Sequence, residues 1–175
     1  ENIRLKRLVA DLSLDKAILK DAASEKSDFS ILVGADIQYA TASKYKQLSS
    51  DFTELAQFSE RAAFAVFAGD LTPNGLPENL LAIKKAVQDI WKKPFHAGFG
   101  GHDGNNSTGM GNFMDVFGPY YYSWDYGGRH FIALVSETGY IKGERAARQF
   151  RWLERDLALQ PEEKPIYVMC HTTES

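Results

Sequence analysis

Phe64–Asp70 reads FAVFAGD, an apolar run that ends in a carboxylate. Short runs rich in aromatic and β-branched residues are typical of strands buried on both faces, as in α/β sheets. The same plan recurs in three further segments: Ser30–Asp36 (SILVGAD), Pro94–Asp103 (PFHAGFGGHD) and Pro165–His171 (PIYVMCH). Because residues just beyond the carboxyl ends of such strands face the ligand crevice, we expect the polar ends of these runs to converge.

The polar residues at the strand ends form a candidate metal centre. They are aspartates and histidines, the usual ligands of hard and borderline divalent cations: Asp36, Asp70, His102, Asp103 and His171. A carboxylate can also bridge two cations about 3.5–4 Å apart. Either Asp36 or Asp70 alone is equally well explained as a helix cap. Their combination with histidines at two further strand ends favours a metal site.

The pair His102-Asp103 lies in a glycine-rich segment that we interpret as a long loop over Gly98–Gly111. Asp103 is expected to orient the His102 imidazole, which can then donate a proton to a leaving oxygen or stabilise an oxyanion. A solvated polar loop is the alternative. His171 closes an apolar strand, as a neutral imidazole ligand does, although a hydrogen-bonded structural histidine also fits there.

The sequence predicts alternating strands and helices, followed by a β-hairpin. Helices are predicted after Asp36, from Pro77, and over 143–159, the last with an apolar stripe of Ala147, Phe150, Leu153 and Leu157. A hairpin is predicted over 120–135 around Gly127-Gly128. This order indicates an α/β fold with a mixed sheet or two packed sheets, with helices outside. We expect residues 1–27 to form a separate, helix-like N-terminal segment and residues 28–175 to form the domain.

The composition and the motifs that are absent argue against several classes of function. A net charge of -3 offers no basic surface for bulk nucleic-acid binding. No apolar segment approaches the ~20 residues that span a bilayer, so we expect a soluble chain. Gly98–Gly104 lacks the third glycine of a dinucleotide loop, and no Walker lysine loop is present.

Because no closing element follows His171, we expect the chain to be part of a longer protein. The sequence does not indicate the cellular compartment or the oligomeric state of the protein.

Taken together, these motifs resemble those of the calcineurin-like metallophosphoesterases. The likeness covers about 28–175 and rests on four motifs in the family's order: Ala35–Gln38 (ADIQ), Gly69–Thr72 (GDLT), Gly100–Asp103 (GGHD) and Cys170-His171. The resemblance implies a sandwich of two packed mixed β-sheets flanked by helices, incomplete at its C-terminal end. It also implies Asp36, Asp70 and His171 as metal ligands, with Asp70 bridging, and His102 with Asp103 on the leaving-group side.

The chain departs from the family pattern at two ligand positions and at its end. Gln38 stands where the family has a histidine ligand, and Gly101 stands where it has an asparagine ligand. The family's final Gly-His-x-His is absent. Gln38 is therefore kept only as a substituted ligand position, and the incomplete set is expected to bind metal weakly and at one position.

The resemblance implies a metal-dependent phosphoric ester hydrolase acting on a small-molecule phosphate ester. It would use divalent cations, two if the site is complete, drawn from Mn, Fe, Zn or Mg. The alternative is a degenerate module that keeps the fold, binds metal weakly or not at all, and acts in binding or interaction. A third hypothesis, an α/β binding domain unrelated to phosphate esters, requires the four strand-end coincidences to be accidental.

Overall fold

The structure is a computed structural model that describes residues 28–40, 45–137 and 139–172. The helix-like segment expected at 1–27 lies outside the described residues. The strands are β1 (Ser30–Gly34), β2 (Ala62–Phe67), β3 (Phe95–Ala97), β4 (Tyr122–Tyr126), β5 (Arg129–Ala133) and β6 (Ile166–Met169). The α-helices are α1 (Tyr45–Phe58), α2 (Pro77–Ala86), α3 (Gly109–Phe117) and α4 (Glu144–Ala158). A π-helical turn, Val87–Trp91, extends α2, and a short 3₁₀ helix, His102–Gly104, follows β3.

The first sheet is parallel, with strand order β1-β2-β3. Alternate residues of β2 enter two different cores. Ala65 and Phe67 pack in the core that includes residues of α1 and α2, whereas Phe64 and Val66 pack toward the second sheet. Because both of its faces are buried, β2 is an almost continuous apolar run, as the FAVFAGD segment predicted.

The second sheet is mixed, with strand order β4-β5-β6. Gly127 and Gly128 form the predicted hairpin turn, both with the positive φ that a tight two-residue turn needs (55° and 74°). The ring centroid of Phe64 lies 5.3 Å from that of Phe131 and 6.1 Å from that of Trp124, so the sheets pack face to face. The predicted α/β fold of two packed sheets flanked by helices is therefore confirmed.

A polar cluster around the buried side chain of His130 joins the second sheet to α4. The ring of His130 lies between two carboxylates, with Nδ1 2.7 Å from Asp125 Oδ1 and Nε2 2.7 Å from Asp156 Oδ2. Lys164 Nζ donates to Asp125 Oδ1 at 2.7 Å, and Ser123 Oγ donates to Asp156 Oδ1 at 2.7 Å. This cluster joins β4, β5, α4 and the segment before β6.

Two predicted elements differ from the structure. The loop predicted to reach Gly111 already contains the start of α3, whose glycines weaken the helical signal while Phe113 and Val116 anchor the helix in the core. The predicted apolar stripe of α4 is only partly buried: Ala147 and Leu153 are half-buried, Phe150 is 62% exposed, and the buried residue of the helix is Gln149. Its side-chain amide exchanges hydrogen bonds with the backbone of Val135.

None of the helices in the described ranges has the length and apolar character that crossing a membrane requires.

Candidate metal centre

The loops that follow β1 and β2 continue side by side beyond the strands. Asp36 N donates to Gly69 O at 3.1 Å, and Gln38 N donates to Asp70 O at 3.0 Å. These bonds hold the two loops in register, so the aspartate after each strand lies beside the other, as expected at the carboxyl edge of a parallel sheet.

The same loops have an unusual backbone conformation. Asp36, Gln38 and Asp70 all have positive φ, at 56°, 43° and 52°. Left-handed backbone is uncommon for residues other than glycine, although Asp is among those that adopt it most readily. Such conformations store strain and concentrate at functional sites. Three of them within two adjacent loops mark this sheet edge as a candidate site.

The structure brings Asp36, Asp70 and His171 together. Each offers one ligand atom, and these atoms all lie within 4.8 Å of one another. Asp70 is buried at 4% exposure, whereas Asp36 is exposed, so the group is accessible from one side. Three donors of these types grouped this closely could hold one metal ion.

The orientation of the His171 ring also fits a cation ligand. Its Nδ1 lies 3.2 Å from Ala68 O, a carbonyl that can only accept, so Nδ1 donates the hydrogen bond. In the neutral imidazole this leaves Nε2 as an acceptor, 3.2 Å from Asp70 Oδ2. The close approach of Nε2 to this carboxylate oxygen is satisfied either by a ring proton on Nε2 or by a cation between the two atoms. A second hydrogen bond that fixes the ring of a metal-binding histidine is a common feature of metal sites.

Two glycines allow this close approach. A Cβ built on Gly100 would lie 2.2 Å from both Asp70 N and Asp70 Oδ1. A Cβ on Gly69, whose φ is 114°, would lie 2.9 Å from His171 Cβ. A side chain at Gly100 would therefore clash with Asp70, and one at Gly69 with His171. The glycines are therefore part of the site.

His102 lies at the edge of the group. Its backbone N–H donates to Asp70 Oδ1 at 2.9 Å, and its ring Nε2 is 3.8 Å from Asp70 Oδ2. The side chain is 48% exposed, and Nδ1 lies close to Asn105 Nδ2 and Pro73 O. The imidazole is thus accessible and held in place, beside the carboxylate that the family resemblance implies as the bridging ligand.

Asp103 has a different role from the one expected, which was to orient His102. Its carboxylate is fully buried and accepts hydrogen bonds from the backbone N–H groups of Leu71, Thr72 and Gly100 and from the Thr72 hydroxyl. Burial raises the pKa of Asp103, and these hydrogen bonds offset part of that effect. Asp103 joins the loops after β2 and β3, and the His102 ring is held by other groups.

The structure also shows what surrounds Gln38 and Gly101, the two positions that depart from the family pattern. Gln38 is exposed, and its amide nitrogen, rather than its oxygen, faces Asp70 Oδ2 at 3.5 Å. Gly101 offers no side chain, but a Cβ built on it would lie 3.2 Å from Glu137 Oε2. The sequence analysis did not select Glu137, because it follows β5 with no apolar run ending directly at it. The only sequence signal is its place shortly after a buried strand.

The chain was compared with known proteins. No protein-family model and no curated protein matches it. Solved structures do share its fold. One is a purple acid phosphatase isolated from yellow lupin (Lupinus luteus) seeds, with a TM-score of 0.63 and 19% identity, covering 84% of this chain and 31% of that one. Another is GAP50, the anchor in the inner membrane complex of Plasmodium, with a TM-score of 0.53 and 15% identity, covering 81% of this chain and 54% of that one.

At these identities the likeness concerns the fold. The chain spans about a third of the length of the first structure and about half of the second. Its two packed sheets and flanking helices form a fold that a purple acid phosphatase also adopts.

Proposed function

We propose that this chain carries the metal centre of a phosphoesterase-type hydrolase that acts on a small-molecule phosphate ester. The observation that carries the proposal is the grouping of Asp36, Asp70 and His171, whose ligand atoms lie within 4.8 Å of one another. The fold shared with a purple acid phosphatase supports this reaction class. The activity and substrate of the whole protein belong to the proposal as well.

In this proposal each residue has a defined task. Asp36, Asp70 and His171 hold the cation, and the bond from His171 to Ala68 O keeps Nε2 directed at it. When bound, a divalent cation polarises a phosphoryl oxygen and makes water a stronger nucleophile at neutral pH. His102, accessible beside Asp70, contacts the ester and supplies a proton to the leaving oxygen. Asp103 keeps the loop of His102 in place.

The second candidate function is a binding module that keeps the fold without catalysis. Gln38 and Gly101 favour it, since neither supplies the side chain that the metallophosphoesterase pattern has there. The fold shared with GAP50, described as an anchor, is also compatible with it. Metal binding and turnover separate the two candidates, because a module of this kind needs neither.

Hydrolysis of a chromogenic phosphomonoester and phosphodiester in added Mn²⁺ tests the proposal. The variants are Asp70→Asn and His102→Ala, and Asp115→Asn serves as control because Asp115 is an exposed carboxylate on α3. We expect Asp70→Asn to abolish turnover. We expect His102→Ala to lower the turnover rate about 10²-fold or more, because a general acid usually contributes a rate enhancement of that size. Asp115→Asn is expected to match the unaltered chain.

The proposal is contradicted if the unaltered chain hydrolyses neither ester, or if Asp70→Asn retains its rate. Turnover that survives in His102→Ala but not in Asp70→Asn would keep the metal centre and remove the task assigned to His102.

A further inference from the structure

The outer edge of the second sheet is apolar. In the strand order β4-β5-β6, β6 is an end strand, and the described residues place no strand beyond it. None of its four residues, Ile166–Met169, is charged or a proline. Charged side chains and prolines are the usual devices that prevent an end strand from pairing with another chain. The backbone donors and acceptors on this side of β6 are therefore open to a further strand.

Helix α4 covers the two other strands of this sheet. Asp156 on the helix accepts a hydrogen bond from Ser123 Oγ of β4 at 2.7 Å and contacts His130 Nε2 of β5 at 2.7 Å. The register pairs His130 with Ile166 of β6, so Ile166 and, two residues on, Val168 lie on the same face of the sheet as the helix. Both side chains are nevertheless exposed. The helix therefore leaves this face of β6 uncovered.

The end strand of the first sheet lies on the same side of the molecule. His96 of β3 stacks on Trp124 of β4, with ring centroids 3.7 Å apart, and β2 packs on β5. Strands β1 and β6 are therefore left together at the remaining edge of the sandwich. There Val33 of β1 is exposed, and so is Tyr167, whose ring stacks on Phe131 on the inner face of the second sheet. Both sheets thus present apolar side chains at one shared edge.

The size of this apolar patch suits a dimer interface. Its four residues are between 41% and 62% exposed: Val33, Ile166, Tyr167 and Val168. Together they present roughly 400 Å² of apolar surface, within the range in which exposed patches mark interaction sites. Since apolar atoms make up about 57% of an interface, this corresponds to roughly 700 Å² per partner. Stable complexes bury about 600–1,000 Å² per partner, so a second copy with the same patch supplies enough area.

We propose that this edge binds a second copy of the chain, through antiparallel pairing of β6 with its counterpart about a two-fold axis. An axis perpendicular to the sheet keeps the inner and outer faces of both copies aligned, so each residue must meet one of the same face. Among such registers, the one centred on Tyr167 pairs all three exposed residues of β6. It places Tyr167 opposite Tyr167 of the second copy and Ile166 opposite Val168. Aromatic and β-branched residues form favourable cross-strand pairs.

Sedimentation equilibrium of the full chain tests this proposal. The key variant is Val168→Lys, which puts a charge into the contact. The matched control is Leu81→Lys, because Leu81 is similarly exposed (53% against 56%) but lies on α2, which packs on the other face of the first sheet. We expect the unaltered chain and Leu81→Lys to form dimers. We expect Val168→Lys to weaken dimerisation at least about 100-fold, because each copy brings an unpaired charge into the contact.

Oxidative cross-linking tests the register, in a Cys170→Ser background that removes the single native cysteine. Tyr167→Cys places two thiols opposite each other across the axis, and we expect a disulfide-linked dimer. Ile166→Cys is the matched control on the same strand. Its counterpart is displaced by two residues, which puts the two Cα atoms more than about 7 Å apart, too far for a disulfide. Far-ultraviolet circular dichroism of each variant reports whether it is folded.

These measurements need neither metal nor turnover, so they are independent of the proposed function. Dimerisation that is lost in Val168→Lys alone, together with the cross-link in Tyr167→Cys, supports the proposal. If the unaltered chain sediments as a monomer, or if Val168→Lys associates as tightly as Leu81→Lys, the proposal is overturned. A monomer whose β6 amides resist hydrogen exchange would show that another part of the chain covers this edge, which also overturns it. A cross-link in Ile166→Cys but not in Tyr167→Cys would overturn the register.

Discussion

At the scale of single residues, the site depends on glycines as much as on ligands. Gly100 has room for a hydrogen only, because a Cβ there would lie 2.2 Å from Asp70 N and Asp70 Oδ1. Backbone atoms cannot rotate away as the end of a flexible side chain can. Gly111, in the first turn of α3, is a useful contrast, since a Cβ there would meet no described heavy atom within 4 Å.

This contrast gives a prediction for two alanine variants. Gly100→Ala is expected to lower the free energy of unfolding by about 3 kcal/mol, the upper part of the range for overpacking, and to weaken Mn²⁺ binding through Asp70. Gly111→Ala is expected to raise that free energy by about 0.5–1 kcal/mol, because alanine loses less entropy in a helix. Urea denaturation of both variants checks this. Equal stability of the two would contradict the packing at Gly100.

The residues that meet at the strand ends were predictable from the sequence, but the hydrogen-bond partners of Asp103 were not. Asp36, Asp70 and His171 each end a run of apolar residues, a local pattern that can be read directly. Asp103 instead bonds to Thr72, 31 residues earlier in the chain, and such a partner is set only by the pairing of β2 with β3. The position of Glu137 beside Gly101 was not predictable for the same reason, because the two residues meet only in the folded chain.

At the scale of elements, a charged cluster joins the second sheet to α4. His130 is 3% exposed and lies between Asp125 and Asp156, with Lys164 on the outer side of Asp125. Each ring nitrogen of His130 contacts one of the two carboxylates. The apolar pattern of α4 did not reveal these polar contacts, because Gln149 and Asp156 find their partners only in the folded chain.

The cluster predicts how stability responds to acid. Burial opposes ionisation of Asp125, but hydrogen bonds from Lys164 and His130 outweigh it and hold the pKa of Asp125 below its ordinary value of 3.8. Above that value both the folded and the unfolded chain are ionised there, and the full stabilisation is present. As the pH falls further, the unfolded chain takes up the proton first, so stability is lost down to the lowered pKa.

The measurement is the urea midpoint as a function of pH from neutrality to about pH 3. Asp125→Asn is expected to lose stability at neutral pH and to show a shallower decline in acid than the unaltered chain. Asp115→Asn, on the exposed side of α3, is expected to keep the steep decline. Parallel curves for the unaltered chain and Asp125→Asn would remove this carboxylate from the acid response.

At the scale of the whole molecule, the fold explains why residues far apart in sequence meet at one place. The parallel strands β1, β2 and β3 send Asp36, Asp70 and His102 to the same edge of the first sheet. His171 follows β6 of the second sheet and reaches that edge by donating to Ala68 O, a contact across 103 positions. The two-sheet α/β architecture was predictable from the order of the elements, whereas the contact between the sheets is visible only in three dimensions.

The central claim is that Asp36, Asp70 and His171 together hold a divalent cation, and Mn²⁺ binding measured by calorimetry on the chelator-treated chain tests it most directly. We predict that the unaltered chain and Asp115→Asn bind Mn²⁺, and that saturating Mn²⁺, about 100 times the Kd, raises the free energy of unfolding by about 2.7 kcal/mol. We predict that His171→Ala and Asp70→Asn lose this binding. Absence of binding in the unaltered chain, or undiminished binding in both variants, would contradict the account.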